Sequence, residues 1–333
     1  MRKLAIAATL ALAASAVVAQ TPRILHATLT TAPAAADLGA QVRAATTTWI
    51  GYSVPAVDGY RVSCDRCRLG DDNVSFTRND DDLRPAAGNL AVVYRVENGA
   101  IAKVRAYSAD CVLDASGTTV SWIEGVDPRR SVALLASLLG GERRLGNRAM
   151  SALALHADPA AGEQLESWSH STTVADETRG EAVFWLAETR PERGLEAART
   201  LLRDTSASTK VREKAIFALS LIKSPPATDE LIRAARHDDN AHLRGQALFW
   251  LSQQAGRKAA GAIRDAVDTD EDSGVREKAV FAVSQLPDDE GIPILIDLMK
   301  HHRDPKVRRK AAFWLGQKND PRALNALEEI LRQ

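Results

Sequence analysis

Three cysteines, an acidic run and two charged turns are the places where this 333-residue chain could do chemistry. Cys64 and Cys67 have the Cys-x-x-Cys spacing that redox proteins use to hold a thiolate at a helix N-terminus. Here Arg68, Leu69, Gly70, Asp71, Asp72 and Asn73 follow, which is turn chemistry and not the opening of a helix. A zinc site would need a fourth cysteine or a nearby histidine, and neither is present. The remaining reading is a disulfide joining Cys111 to Cys64 or Cys67, with one thiol left over. Asp80, Asp81 and Asp82 lack calcium-loop spacing and read as a solvated acidic loop. The 268–274 segment begins like an EF-hand loop, but its glycine comes one place late and Ala279 stands where a bidentate glutamate is needed. It reads as an acidic turn that caps the following helix. His301, His302 and Asp304 crowd one helix end, where adjacent side chains do not converge, and they read as a solvated terminus. No serine–histidine–aspartate elbow, phosphate loop or paired-histidine zinc motif occurs. The expectation is a protein without catalytic residues, bound metal or cofactor.

The cysteines need a small domain to hold them. Over residues 41–127 the chain reads as short strand-like runs broken by turn residues. Residues 46–54 are β-branched and aromatic, and 90–97 and 100–108 flank Asn98-Gly99, a hairpin signal because both turn positions tolerate positive φ. Residues 111–114 and 118–125 supply two more short strands. A small, mostly antiparallel β domain is expected. Ahead of it, Arg2 and Lys3, the apolar 4–18 run and the small residues Val17 and Ala19 form a secretory signal at 1–19. The alanine-rich 20–40 stretch reads as a linker. An exported protein, periplasmic or extracellular, with no membrane span after signal removal, is implied. Its 43 basic and 43 acidic residues cancel, so it has no net positive field to neutralise phosphates, and nucleic acid is disfavoured as a partner.

The rest of the chain is organised by repetition. Five copies of a ten-residue phrase begin at Thr178, Val211, Leu243, Val275 and Val307, spaced 33, 32, 32 and 32 residues apart, and a fainter copy begins at Asn147. Apolar residues at the first, fifth and ninth places give each phrase a helical stripe. A second helical segment precedes each, as at 192–202, 228–237, 259–267 and 291–299, while 129–139 precedes the faint copy and 322–332 closes the array. A fixed period of this length means a solenoid, whose repeats cannot bury their apolar faces alone.

An acid, two to four residues, then Val-Arg-x-x-Ala-x-x-x-Leu resembles HEAT repeats, closest to the short bacterial kind first noted in phycobilin lyases. The resemblance spans 128–333. It implies a right-handed α-solenoid of about six helix pairs, with an inner helix of each pair lining a concave surface. The fold is thus mainly α, preceded by the small antiparallel β domain. The resemblance also implies that Arg179, Arg212, Arg244, Arg276 and Arg308, with Arg148 in the faint copy, form a ladder bridging neighbouring repeats with the aspartates. Asp272 and Asp304 stand four places before their arginines, with Ser208 and Asn240 in the equivalent places.

The most distinctive column is the seventh, which holds Phe184, Phe217, Phe249, Phe281 and Phe313. At about 100° per residue it falls almost opposite the apolar stripe. Gln253, Gln285 and Gln317 share that face. Either the rings lean between helices and complete the core, or they form an aromatic and amide stripe that receives a protein or peptide. The functional expectation is an exported, non-catalytic binding scaffold. The alternative is an enzyme or accessory protein with its site in the β domain, or a lyase-like role by family analogy.

Overall fold

The structure, a computed structural model, describes residues 22–63, 67–69, 75–78, 88–254 and 257–332. The signal segment 1–19, Cys64 and Asp80, Asp81 and Asp82 lie outside the described residues. The chain divides into two compact units, one ending at Asp158 and the other beginning at Pro159.

The first unit contains β1 (Arg23–Leu25), β2 (Thr28–Pro33), α1 (Leu38–Arg43), β3 (Trp49–Pro55), β4 (Tyr60–Ser63), β5 (Cys67–Arg68), β6 (Ser75–Arg78) and β7 (Asn89–Glu97). It continues with β8 (Ala100–Ser108), β9 (Val112–Asp114), β10 (Thr119–Glu124), α2 (Pro128–Ala136) and α3 (Arg143–Ala154). Its main sheet runs β2-β10-β3-β7-β8. The β7–β8 hairpin turns through Asn98 at φ 52° and Gly99 at φ 74°, as the Asn-Gly signal requires. The sheet is mixed. β3, β7 and β8 are antiparallel, whereas β10 runs parallel to both β2 and β3. Leu90, Ala91, Val92, Val93 and Tyr94 are all buried along β7, the unbroken burial of a strand covered on both faces.

Within the stretch expected as a linker, residues 22–40 carry β1, β2 and the start of α1. β2 pairs with β10 along its full length, from Thr28 opposite Thr119 to Pro33 opposite Glu124, and Asp37 caps α1 by accepting from the Ala40 N–H at 2.8 Å. The β-branched run at Thr28, Thr30 and Thr31 suits an edge strand, where only one side is paired. A change of domain was expected at 127/128. In the structure the first unit runs on to Asp158, and α2 and α3 pack against β3 and β8 within it.

Among its described residues the second unit contains helices and turns and no strand. It contains α4 (Pro159–His170), α5 (Asp176–Thr189), α6 (Pro191–Arg203), α7 (Thr209–Leu221), α8 (Pro225–His237) and α9 (Ala241–Ser252). After these come α10 (Arg257–Thr269), α11 (Ser273–Gln285), α12 (Asp288–His301), α13 (Pro305–Gly316) and α14 (Pro321–Leu331). The five phrases occupy α5, α7, α9, α11 and α13, each packed on the next, and α4, α6, α8, α10, α12 and α14 form a second layer. The phrase helices make the inner layer and the others the outer layer. The apolar stripe is buried as its spacing demands: Val211, Ala215, Leu219, Leu243, Ala247 and Leu251 are each fully buried.

Candidate functional site

The residues ahead of each phrase start the inner helices. Ser208, Asn240, Asp272 and Asp304 are N-caps, accepting from backbone N–H groups one helical turn on. The N–H groups of Val275 and Gly274 hold the Asp272 carboxyl below the usual range, and that of Lys306, with Arg276, does so for Asp304. The 268–274 turn therefore caps a helix, as its sequence suggests.

These caps are not the main acids of the arginine ladder. The carboxylates that clamp the arginines stand six places ahead of the next copy's arginine. Arg212 donates to Asp238 at 2.7 Å, and Arg244 forks onto both oxygens of Asp270 at 2.8 and 2.9 Å while donating to the Asp238 carbonyl at 2.9 Å. Each guanidinium thus ties its own turn to the next one. In the last full repeat His302 takes the equivalent place. It is buried, not solvated, and its Nδ1 accepts from the Asp304 N–H at 3.1 Å. Arg276 reaches past it to Asp304 at 3.1 Å. Arg179 donates to the Ser169 carbonyl, and Arg308 to the carbonyls of His302 and Arg303. Arg212, Arg244 and Arg276 thus bridge neighbouring repeats, whereas Arg179 and Arg308 hold the turn before their own helix.

The phenylalanine column is neither core nor free surface. Phe184, Phe217, Phe249 and Phe281 are half-buried, and Phe313 at the end of the row is 55% exposed. The rings touch in an unbroken sequence. Phe184 stacks on Phe217 (centroids 5.9 Å apart, planes 5° apart) and Phe249 on Phe281 (6.3 Å, 3°). Between those stacks a tryptophan intervenes: Phe217 meets Trp250 at 4.8 Å and 45°, and Phe281 meets Trp314 at 5.0 Å and 46°. Equivalent rings of successive phrases meet only if the inner helices lie side by side in register.

The joints alternate because the sequence alternates. Trp185, Trp250 and Trp314 follow the phenylalanine in the first, third and fifth phrases, while Ala218 and Ala282 follow it in the second and fourth. Gly180 and Gly245 occupy the third place in the first and third phrases. A Cβ on Gly180 would lie 2.7 Å from Lys214 Cγ, and one on Gly245 would collide with Lys278 Cδ. Each lysine stem therefore lies across the bare backbone of the preceding helix. The true structural period is two repeats.

At the C-terminal ends of the inner helices the serines turn inward. Ser220, Ser252 and Ser284 each donate to the carbonyl of the phenylalanine three places earlier at 2.6 Å. Gln253 and Gln285 donate to those serines at 3.3 and 3.1 Å, which leaves each amide oxygen and a second N–H toward solvent. Gln253, Gln285 and Gln317 are all exposed. A cavity of about 570 Å³ opens beside Gln253, lined also by Ser220, Ser224, Thr228, Gln254 and Lys258.

The first unit contains a polar cluster that sequence spacing does not reveal. Tyr94 and Tyr52 hydroxyls are 2.6 Å apart, Tyr52 lies 2.7 Å from Ser131 Oγ, and Ser131 lies 2.7 Å from His156 Nε2. His156 Nδ1 faces the Ala152 carbonyl at 2.8 Å, which can only accept, so in the neutral ring Nε2 accepts from Ser131 and the hydroxyls line up in one direction. All four side chains are fully buried. Burial pushes the Tyr52 hydroxyl up to about 12 and the Tyr94 hydroxyl well above its ordinary value. A serine on a histidine is a pairing nucleophilic enzymes use, but this one is sealed in the core, where it ties α2 and α3 to β3 and β7.

Among the described residues, no cluster of histidine, cysteine, aspartate and glutamate side chains suits a metal ion. Cys67, at the start of β5, pairs in register with Leu113 of β9, and Cys111 is buried just before β9.

Two stacked layers of repeated helix pairs, clamped turn to turn by arginine and aspartate, define an α-solenoid. The HEAT-repeat family model matches residues 173–252, 228–303 and 260–333, so the repeats of the second unit are HEAT repeats. The faint copy and its partner, α3 and α2, lie outside that match and in the first unit. No curated protein matches the chain. Among solved structures, human deoxyhypusine hydroxylase is similar at 18% identity, over 61% of this chain and 90% of that one, with a TM-score of 0.27. YibA of Escherichia coli is 18% identical over 62% and 82%, with a TM-score of 0.37. The CpcE–CpcF phycocyanin lyase of Nostoc is 19% identical over 52% and 70%, with a TM-score of 0.35. At these levels the likeness is one of helical stacking and carries no activity across.

Proposed function

We infer that the chain is an exported, non-catalytic scaffold that holds a protein or peptide on the concave face of its HEAT solenoid. Phe184, Phe217, Phe249, Phe281 and Phe313 form the contact row, with Gln253, Gln285 and Gln317 as hydrogen-bonding groups beside it. The observation that carries this reading is the half-burial of four successive rings in one unbroken row. A fold needing those rings only as filling would bury them completely, and a fold indifferent to them would carry polar residues there. Contiguous apolar surface rimmed by polar groups is how interaction sites are built. Because each ring is already held by its neighbours, a partner ordering against it incurs little further side-chain entropy on this side.

The test is selection from a displayed random-peptide library by the mature protein, repeated with Phe217→Ser/Phe249→Ser/Phe281→Ser. The expected result is enrichment of peptides that the triple variant no longer holds while its far-ultraviolet circular dichroism stays helical. Failure to enrich any peptide, or equal retention by the folded variant, would sink the reading.

Export rests on the 1–19 pattern, and it makes a disulfide the default state of paired cysteines. The reading joins Cys111 to Cys64 or Cys67 and leaves one thiol over. Non-reducing peptide mapping of the exported protein should recover one such pair. Three thiols, or a Cys64–Cys67 bridge, would count against it.

A further inference from the structure

The face that carries the phenylalanines also carries charge, and the charge is graded. Beside the first phrase stand two acids, Glu177 and Glu181, and beside the fifth stand three bases, Lys306, Arg309 and Lys310. Between them, acids of one inner helix pair with bases of the next. Glu177 meets Lys210 at 3.1 Å, Glu181 meets Lys214 at 3.9 Å, Glu213 meets His242, and Glu277 meets Lys310 at 3.8 Å. This one-step offset uses up the acids and leaves bases over. Among the described residues no carboxylate pairs with Lys278, Lys306 or Arg309, and all three are exposed.

Unpaired bases on a terminal repeat also keep the end of a solenoid soluble. That explanation does not cover Lys278, which lies on α11, one inner helix short of the end. Its stem is pinned across Gly245, with Nζ 3.1 Å from where a Cβ there would sit. A cation held against bare backbone, with no carboxylate paired to it and half-buried rings on the same face, is placed to meet an anion from outside.

We propose that the occupant of the aromatic row is an extended segment of another protein carrying carboxylates at one end, and that this end lies over α11 and α13. Lys278, Lys306 and Arg309 receive the carboxylates, and the remaining apolar side chains lie along Phe281, Phe249 and Phe217 toward Glu177 and Glu181. At the far end Glu177 and Glu181 are paired with Lys210 and Lys214, so no free base there competes for the acidic block, and the gradient fixes which way round the segment lies. Four inter-helix steps of about 9 Å each are covered by roughly eleven extended residues at about 3.3 Å apiece. This rests on the concave-face reading above and adds to it the partner's charge and direction.

The probes are two fluorescein-labelled peptides of that length with the same alternating leucine–serine body. One ends in three aspartates and the other in three lysines, and each has a benzophenone beside its charged block. Fluorescence polarisation with the full mature chain should show saturable binding of the aspartate probe, weakening at least tenfold in Lys306→Glu/Arg309→Glu and falling with added salt. The benzophenone of the aspartate probe should cross-link within α11 or α13. Unchanged affinity in the charge-reversed variant, cross-links centred on α5, or no saturable binding by the wild type would overturn the proposal. So would a dimer at probe concentrations that dissociates on charge reversal, because the row would then belong to a second copy. Phe249→Ser separates the two readings. If it abolishes binding while charge reversal does nothing, the row stands and only the direction is wrong; if it leaves binding intact, the concave site itself is wrong.

Discussion

The hydroxyl chain of the first unit and the aromatic row of the second are both linear side-chain arrays crossing several elements, and they are built on opposite terms. Tyr94, Tyr52, Ser131 and His156 are wholly buried, and the chain closes on a backbone carbonyl at Ala152. The rings from Phe184 to Phe313 lean on one another yet keep part of each face in solvent. A buried polar array is costly unless complete, so it tolerates no missing member. A half-exposed apolar array is complete at every length and can lose one ring without stranding a group. The first arrangement holds a fold in one state, whereas the second leaves surface to be covered.

The contrast sits between the two faces of the inner helices as much as between the two units, and the largest effect should come from the clamped face. Arg244→Ala leaves the Asp270 carboxylate buried without its fork, and removing one partner of a buried pair costs about 3–5 kcal/mol. Urea unfolding followed by far-ultraviolet circular dichroism measures it. A loss no larger than that of a surface residue would show the ladder to be ornamental. Next comes Ser131→Ala, which strands the Tyr52 hydroxyl and His156 Nε2, each an unsatisfied group costing about 1–3 kcal/mol. Phe249→Ser should cost about 1–2 kcal/mol, short of the 3–5 typical of a fully packed ring. Phe313→Ser, at 55% exposed, should stay within about 0.5 kcal/mol. If Phe249→Ser matches a full core loss, the row is core and the contrast collapses.

A pH dependence runs through the hydroxyl chain. The Tyr52 pKa is raised in the folded chain, so between the ordinary value near 10 and about 12 the unfolded state has released a proton that the folded state keeps. The hydroxyl chain's contribution is therefore full below pH 10 and falls as pH rises to about 12. Tyrosinate absorbance should show Tyr52 and Tyr94 ionising only as the first unit unfolds. Both titrating reversibly without loss of structure would contradict the sealed core.

The aromatic row was legible because it repeats: five phenylalanines at one column declare themselves even though nothing nearby explains them. The hydroxyl chain was not, since its members stand at 52, 94, 131 and 156 and meet only once the sheet has formed. β2 was missed for a related reason. Its partner β10 lies far downstream and runs parallel to it, so no hairpin turn announces the pairing. Among the caps Asp304 also pairs with Arg276, whereas Arg212 and Arg244 take acids two places ahead of the caps, Asp238 and Asp270; caps and clamps use the same residue type, so spacing alone does not separate them. His302 stands where an acid stands in the two preceding turns, and period alone gives no warning that it is buried.

The alternation of Trp with Ala after the phenylalanine makes the solenoid a chain of paired links with a phase. Adding one repeat at the end after Trp314 would call for an alanine-type unit, and adding a tryptophan-type unit there would set two large indoles side by side where the row accepts one. Lengthening or shortening by two repeats, 32 + 32 residues at the observed spacing, preserves the phase at every joint. A row built this way can be tuned in reach only in steps of two helix pairs, and a single-repeat deletion should disturb the ring joints far from the cut ends less than the one new joint it creates.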